Sequence, residues 1–209
     1  MNPTGSPSVP APVDQRFQEI LKPFETAFQQ LDAYLLKQVE AFEPEVQPLV
    51  AYCLGHSGKK LRPLLVFATG MEAEGPASDE LVRAAAIVEL VHLATLVHDD
   101  ILDEAGVRHR TETLVARHGS HAAVLLGDAL FSHALHLASG FPDVEVCRTV
   151  SLATRQVCSG EIAQTFVRGE APPTPEAYFR MIQLKTAELF MASASLGAYL
   201  AGFSTDSRE

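Results

Sequence analysis

Apolar residues recur along this chain at intervals of three and four. From residue 14 to 42, Phe17, Ile20, Leu21, Phe24, Phe28, Leu31, Tyr34 and Leu35 make one such stripe, the spacing that lines one face of an α-helix. Pro23 predicts a kink inside it. A second helix is predicted over 44–54, ending at Gly55, and a third over 62–72, with Pro63 in the first turn, where its missing N–H is tolerated. Residues 78–104 carry the strongest pattern. Ser78 is placed to cap that helix ahead of Asp79 and Glu80, whose charges favour a helix N-terminus. Between Arg83 and His98 only Glu89 is formally charged, so this helix is expected to be central and buried nearly all round. Helices are also predicted over 120–138, 143–168 and 175–202, the last capped by Thr174 with Pro175 at its first position. Sustained two-residue alternation and Asn-Gly turns are absent. The pattern predicts an all-α bundle.

Composition narrows the functions. The 209 residues are 47% hydrophobic and 20% charged, a profile that fits one folded domain over 14–209. The Pro-, Ser- and Gly-rich start reads as a disordered tail to residue 13, with no secretory pattern. A formal net charge of −10 argues against nucleic acid as a partner. Local basic sites at Lys59-Lys60-Arg62 and Arg108-Arg110 suit small anions better. Cys53, Cys147 and Cys158 show no paired spacing, so all three are expected to be reduced core residues of a cytoplasmic protein. The longest apolar runs are interrupted by Glu89 and His92, or by Glu188, so no transmembrane segment is expected.

Chemistry concentrates where the 78–104 helix ends. Asp99, Asp100 and Asp103 stand as D-D-x-x-D. At ~100° per residue, Asp99 and Asp103 lie ~40° apart on one face, with His92 between them in angle and about two to three turns below. Carboxylates one turn apart can bridge hard divalent cations, and Mg²⁺ favours a few carboxylates plus substrate phosphate oxygens. Acidic residues near a helix C-terminus also oppose the macrodipole, a cost that a bound cation offsets. The plainer reading is a solvated acidic helix end. Two other groups share this ambiguity. Gly58-Lys59-Lys60-Leu61-Arg62-Pro63 is either a basic loop or an anion site ahead of a helix N-terminus. Lys185-Thr186, in an apolar helix, either snorkels or meets a phosphate.

Taken in order, GKKLRP (58–63), ELVHLATLVHDDILDEAGVR (89–108), LLGDAL (125–130), GEIAQ (160–164) and LKTAELF (184–190) resemble segments of the trans-isoprenyl diphosphate synthases, the polyprenyl synthetase family. The resemblance runs from about Gly58 to Gly202. It implies an all-α helical bundle of the isoprenoid synthase type and a prenyltransferase. Its substrates would be isopentenyl diphosphate and an allylic prenyl diphosphate. By the same resemblance, Mg²⁺ is the cofactor, held by Asp99 and Asp103 with Asp100 assisting. Lys59, Arg62 and His92 would bind isopentenyl diphosphate. Arg108, Gln164, Lys185 and Thr186 would face the allylic substrate. The family usually has two arginines and a glycine after the aspartates; here His109 takes the second arginine's place, with Arg110 beside it. A homodimer through the 120–138 region is also implied. The second aspartate-rich helix of the family has no counterpart before Glu209, so the C-terminal helices are expected to be lacking and the chain alone to be weakly active or inactive.

Product length is legible only as an expectation. Ala94 and Thr95 precede Asp99 where short-chain members place a bulky aromatic. Small side chains there predict an open path past Val91, Val88 and Ala84, the last ~22 Å along the helix from Asp99, hence a medium- to long-chain product. Two other readings compete with the prenyltransferase. His98-Asp99, with His56 and Asp128, could form the metal site of an HD-type phosphohydrolase. The chain could instead be a non-catalytic homologue acting as a partner subunit. His118, His121, His133 and His136 read as surface or packing residues. Ser57 and Ser159 lack a base arrangement for nucleophilic catalysis.

Overall fold

The computed structural model describes residues 13–56, 58–108, 110–167 and 173–203. The expected tail lies, up to residue 12, outside these, as does His109. Nine α-helices occur among the described residues: α1 (Val13–Leu21), α2 (Glu25–Val39), α3 (Gln47–Gly55), α4 (Leu61–Gly70), α5 (Asp79–Leu102), α6 (Leu114–Ser139), α7 (Glu145–Val167), α8 (Pro175–Ile182) and α9 (Glu188–Leu200). A short 3₁₀ turn, Lys22–Phe24, separates α1 from α2, and a π-helical turn, Gln183–Ala187, joins α8 to α9. The all-α expectation holds.

Three departures have local physical causes. Pro23 breaks the first predicted helix rather than kinking it, because it removes a backbone donor from the ladder. The helix expected at 120 begins at Leu114. Thr113 caps it by accepting a hydrogen bond from the Ala116 N–H at 3.2 Å, and Gly119, at φ 82°, interrupts it. Regular helix therefore resumes where periodicity placed the start. A two-stranded antiparallel ribbon, β1 (Val107–Arg108) with β2 (Thr111–Glu112), was not foreseen. Two-residue strands are too short to alternate.

α5 is the axis of the bundle, and α2, α4, α6 and α9 all pack against it. Its Ala84, Ala85, Ala86 and Ile87 are completely buried. By length and composition α5 and α6 could each cross a bilayer; most of α5 is instead enclosed by the other helices. Ser78 caps α5 as predicted, accepting from the Leu81 N–H at 3.2 Å. α4 and α9 touch at their glycines. A Cβ on Gly197 would stand 2.2 Å from the Val66 carbonyl oxygen and from Thr69 Oγ1, so only glycine fits there. Thr69 seals the crossing by donating to the Ala194 carbonyl at 2.9 Å. This contact sets α9 against the C-terminal half of α4. Of the cysteines, Cys53 is buried, but Cys158 is exposed on α7, which corrects the expectation that all three fill the core.

Glu89 is the one charge inside α5's buried stretch. It is 1% exposed, and its Oε2 has no hydrogen-bond partner. Burial raises its pKa from 4.5 to about 7, against the opposing pull of Lys60 and Arg62. A raised carboxyl pKa means that folding favours the protonated acid. Its contribution to stability is fully present below about pH 4.5 and is lost as pH rises through about 7. Between those two values each pH step of one removes ~1.4 kcal/mol. Glu89→Gln should therefore flatten the stability profile between about pH 4.5 and 7. Denaturant unfolding across that window checks this; an unchanged slope would show that Glu89 is not the titrating group.

Candidate functional site

The C-terminal end of α5 opens into a cavity of about 360 Å³. α5 contributes His92, Thr95, Leu96 and Asp99, α7 contributes Val157, Cys158, Glu161 and Ile162, and the π turn contributes Lys185 and Thr186. Arg62 enters from α4 and Phe131 from α6. The cavity is two-natured. Its charged part is Asp99, Glu161, Lys185 and Arg62, and its hydrocarbon part is Leu96, Leu102, Phe131, Val157 and Ile162.

Lys185 organises the charges. Its Nζ lies 2.5 Å from Glu161 Oε2 and 3.8 Å from Asp99 Oδ2, and all three side chains are largely buried. Burial is the main force raising the Asp99 pKa from 3.8 to about 6. Glu161 and Asp103 push it the same way, while Lys185 and Arg108 oppose. Carboxylates that repel one another in a partly dry site attract a cation. The donors are oxygens, which suits a hard divalent ion. Among the described residues no three His, Cys, Asp or Glu side chains already form a cage. Such a site would need further oxygens from a ligand, the arrangement Mg²⁺-type ions use with phosphates.

The aspartates of D-D-x-x-D do not act as a block. Asp99 lines the cavity. Asp103 caps α5 on its exposed end, one turn beyond. Asp100 points the other way and is 6% exposed, accepting from Arg108 Nε at 2.8 Å. The ribbon makes this pairing possible. It places Arg108 beside α5 and is anchored by Tyr52, which donates to the Glu112 carbonyl at 2.5 Å, and by Thr113, which donates to the Ala105 carbonyl at 2.5 Å.

Arg62 and His92 meet in the cavity as the sequence suggested. The Arg62 guanidinium stacks 4.5 Å from the Phe190 ring centroid. Burial, then Arg62 and Arg108, depress the His92 pKa to about 3. Its imidazole is neutral at any physiological pH. Lys59 is elsewhere: it is exposed, 5.3 Å from the centroid of Phe17 on α1, while Lys60 pairs with Asp32 on α2. Gln164 is half-buried on α7, one turn past Glu161, outside the cavity lining. Thr186 lines the cavity from its exposed side.

Two expectations are corrected. Ala94, Val91, Val88 and Ala84 are at most 1% exposed and packed in the core, so no open path runs along them. Side chains from the neighbouring helices fill that space, and the cavity's apolar lining is Leu96, Leu102, Phe131, Val157 and Ile162. Of the HD-type constellation, His98 lines the cavity with Asp99 and meets Asp128, but His56 does not join them. His98 Nε2 is 3.1 Å from the Val124 carbonyl and 3.6 Å from Asp128, whereas His56 lies in a separate small cavity beside Asp100. Of the remaining histidines, His118, His121 and His136 are exposed, and His133 meets Gln38 at 3.0 Å. Sequence reasoning did not single out Glu161 or Phe131. Gly160-Glu161 within an otherwise regular helix was the available signal, since a helical glycine often marks a close approach.

Known proteins share this architecture. The Escherichia coli octaprenyl diphosphate synthase is 32% identical over 172 residues, 82% of this chain and 53% of that protein. The (2E,6E)-farnesyl diphosphate synthase of Mycobacterium bovis is 35% identical over 189 residues, 84% of this chain and 52% of that protein. The crystal structure of a decaprenyl diphosphate synthase from Rhodobacter capsulatus superposes with a TM-score of 0.83 at 27% identity, covering 92% of this chain and 59% of that one. A polyprenyl synthase from Caulobacter crescentus, complexed with calcium and isoprenyl diphosphate, gives 0.83 at 27% identity, covering 92% and 58%. The chain thus spans about half the length of the curated relatives it matches. Residues 43–209 match the sequence profile of the family described as Polyprenyl synthetase. With the profile, the relatives and the fold in agreement, the chain belongs to the polyprenyl synthetase family.

Proposed function

We propose that this chain forms the metal- and diphosphate-binding wall of a Mg²⁺-dependent prenyltransferase, which condenses isopentenyl diphosphate with an allylic prenyl diphosphate. The observation that carries this reading is the Asp99–Lys185–Glu161 cluster at the mouth of a hydrocarbon-lined cavity. A molecule with a polyanionic head and an apolar tail matches both halves of that space. The calcium and isoprenyl diphosphate named with the Caulobacter structure support the same pairing.

In this reading Asp99 and Asp103, with Glu161 opposite, hold Mg²⁺, which when bound supplies positive charge to the diphosphate. Lys185 turns from Glu161 toward the allylic diphosphate, with Thr186 and Arg108 beside it. Arg62 and neutral His92 receive isopentenyl diphosphate, and Lys59 joins them by leaving Phe17. The allylic C–O bond breaks with its electron pair going to diphosphate. The isopentenyl double bond then forms the new C–C bond, and loss of a proton restores an alkene. The chain's contribution is positioning, charge stabilisation and exclusion of water from the cation by Leu96, Phe131 and Val157. Homodimer formation through α6 accords with its exposed Val124 and Leu125, 43% and 69% accessible.

Titration calorimetry of a non-hydrolysable prenyl diphosphate should show binding that needs Mg²⁺ and weakens on the order of tenfold or more in Asp99→Asn, the loss of a charge-assisted contact. Equal affinity with and without the metal would overturn the proposal. The chain-length limit lies at Phe131 rather than at Ala94. Phe131→Ala should shift the preference among allylic diphosphates of increasing length toward longer tails, since each extra buried CH₂ is worth ~0.8 kcal/mol. Ala94→Phe should instead destabilise the fold by ~1–3 kcal/mol through overpacking. Competition binding with a series of tail lengths, beside denaturant unfolding, separates the two effects; an unmoved length preference in Phe131→Ala would place the limit elsewhere.

A further inference from the structure

Helices α8 and α9 would be continuous but for the π turn Gln183–Ala187, which holds Lys185. An extra residue in a turn weakens the local hydrogen-bond ladder, and such turns recur at functional sites. What the turn rests on is Gly160. A Cβ at that position would lie 2.7 Å from the Lys185 backbone nitrogen and 2.8 Å from Leu184 Cβ, distances that side chains do not tolerate. The next residue along α7 is Glu161, whose carboxylate meets Lys185 Nζ. One close approach of two backbones therefore sets the lysine's origin and places its counter-charge within reach.

We propose that Gly160 is a positioning residue: its missing side chain lets the π turn seat against α7, and that seat aims Lys185 at Glu161 and Asp99. Any side chain at 160 must lift the turn away, because the nearest atoms are main chain and a Cβ rather than a flexible side-chain tip. α8 packs on α7 with none of its residues fully buried, so the close backbone contact at Gly160 is the tighter of the two supports. The consequence for ligand binding rests on the reading of Lys185 as a diphosphate ligand; the consequence for the lysine itself does not.

Two variants test this. Gly160→Ala adds the Cβ directly. Deleting Gln183 removes the extra residue of the turn and leaves Gly160 untouched, rotating α8, which has no buried residue to displace. Gly55→Ala is the control, a helical glycine with open space around it. Peptide-resolved mass spectrometry of amine acylation, without ligand, reads the position of Lys185. Relative to the other lysines, Lys185 should react faster in both variants and at the wild-type rate in the control. Binding of inorganic pyrophosphate with Mg²⁺ should weaken roughly tenfold in Gly160→Ala, part of a charge-assisted contact. On a Lys185→Ala background Gly160→Ala should add nothing further. Unchanged Lys185 reactivity in a folded Gly160→Ala protein, or additive losses in the double variant, overturns the inference. Faster acylation with pyrophosphate affinity unmoved even in Lys185→Ala would overturn the ligand reading instead and leave the positioning role standing.

Discussion

A helix buried on every side has little freedom over where its polar end emerges, and the site depends on that constraint in α5. Its small and aliphatic residues, Ala84 to Val97, are packed by four other helices. The helix cannot rotate without exposing one side and burying a charge on another. Asp99 and Asp100 are therefore held ~100° apart on its last turn, on different faces of the helix. One faces the large cavity, and the other faces Arg108. Two adjacent carboxylates in a largely dry setting repel each other, and separate partners relieve the strain differently. Asp100 has a permanent guanidinium. Asp99 shares a lysine with Glu161, which leaves negative charge in excess.

Within that trio two carboxylates face one lysine, and Arg62 balances the charge of the cavity as a whole. The raised Asp99 pKa reflects its burial first and then the Glu161 and Asp103 carboxylates. Arg62 and the neutral His92 stand on the other side. A neutral imidazole can offer a hydrogen bond to an anion without adding a third buried positive charge. The same desolvation that makes these charges costly strengthens their pull on a matching ligand. The apolar lining, Phe131 included, lowers the polarity around these charges.

Apart from Arg62, which sits in the first turn of α4, the cationic side chains arrive on irregular elements. Arg108 comes on a two-residue ribbon, Lys185 on a π turn, and Lys59 and Lys60 on the loop before α4, where Lys60 adopts a left-handed conformation at φ 50°. Regular helices offer fixed directions ~100° apart. The cost of each departure is met by a specific contact: Tyr52 and Thr113 for the ribbon, Gly160 for the π turn, Asp32 for the loop.

Periodicity in the sequence determined the helices, since a repeat of ~3.6 residues is a local property that survives in any helical packing. It also singled out α5 as the buried axis, because only Glu89 interrupts its apolar run. The aspartate cluster, GKKLRP and Lys185-Thr186 were legible as charge placed against that pattern. The direction each charge faces was not. Asp99 and Asp100 are neighbours in sequence and look alike; which of them meets Arg108 depends on how the ribbon just after α5 folds back against it. The route expected past Ala94 failed for the same reason. Small residues on one helix leave room only if the neighbouring helix does not fill it, and there the core is close-packed, with Phe131 of α6 lining the cavity beside it. Glu161 became part of the site because Gly160 brings two backbones together. Local sequence decides what a segment can be, whereas only the tertiary structure decides which surfaces of those segments share one dry space.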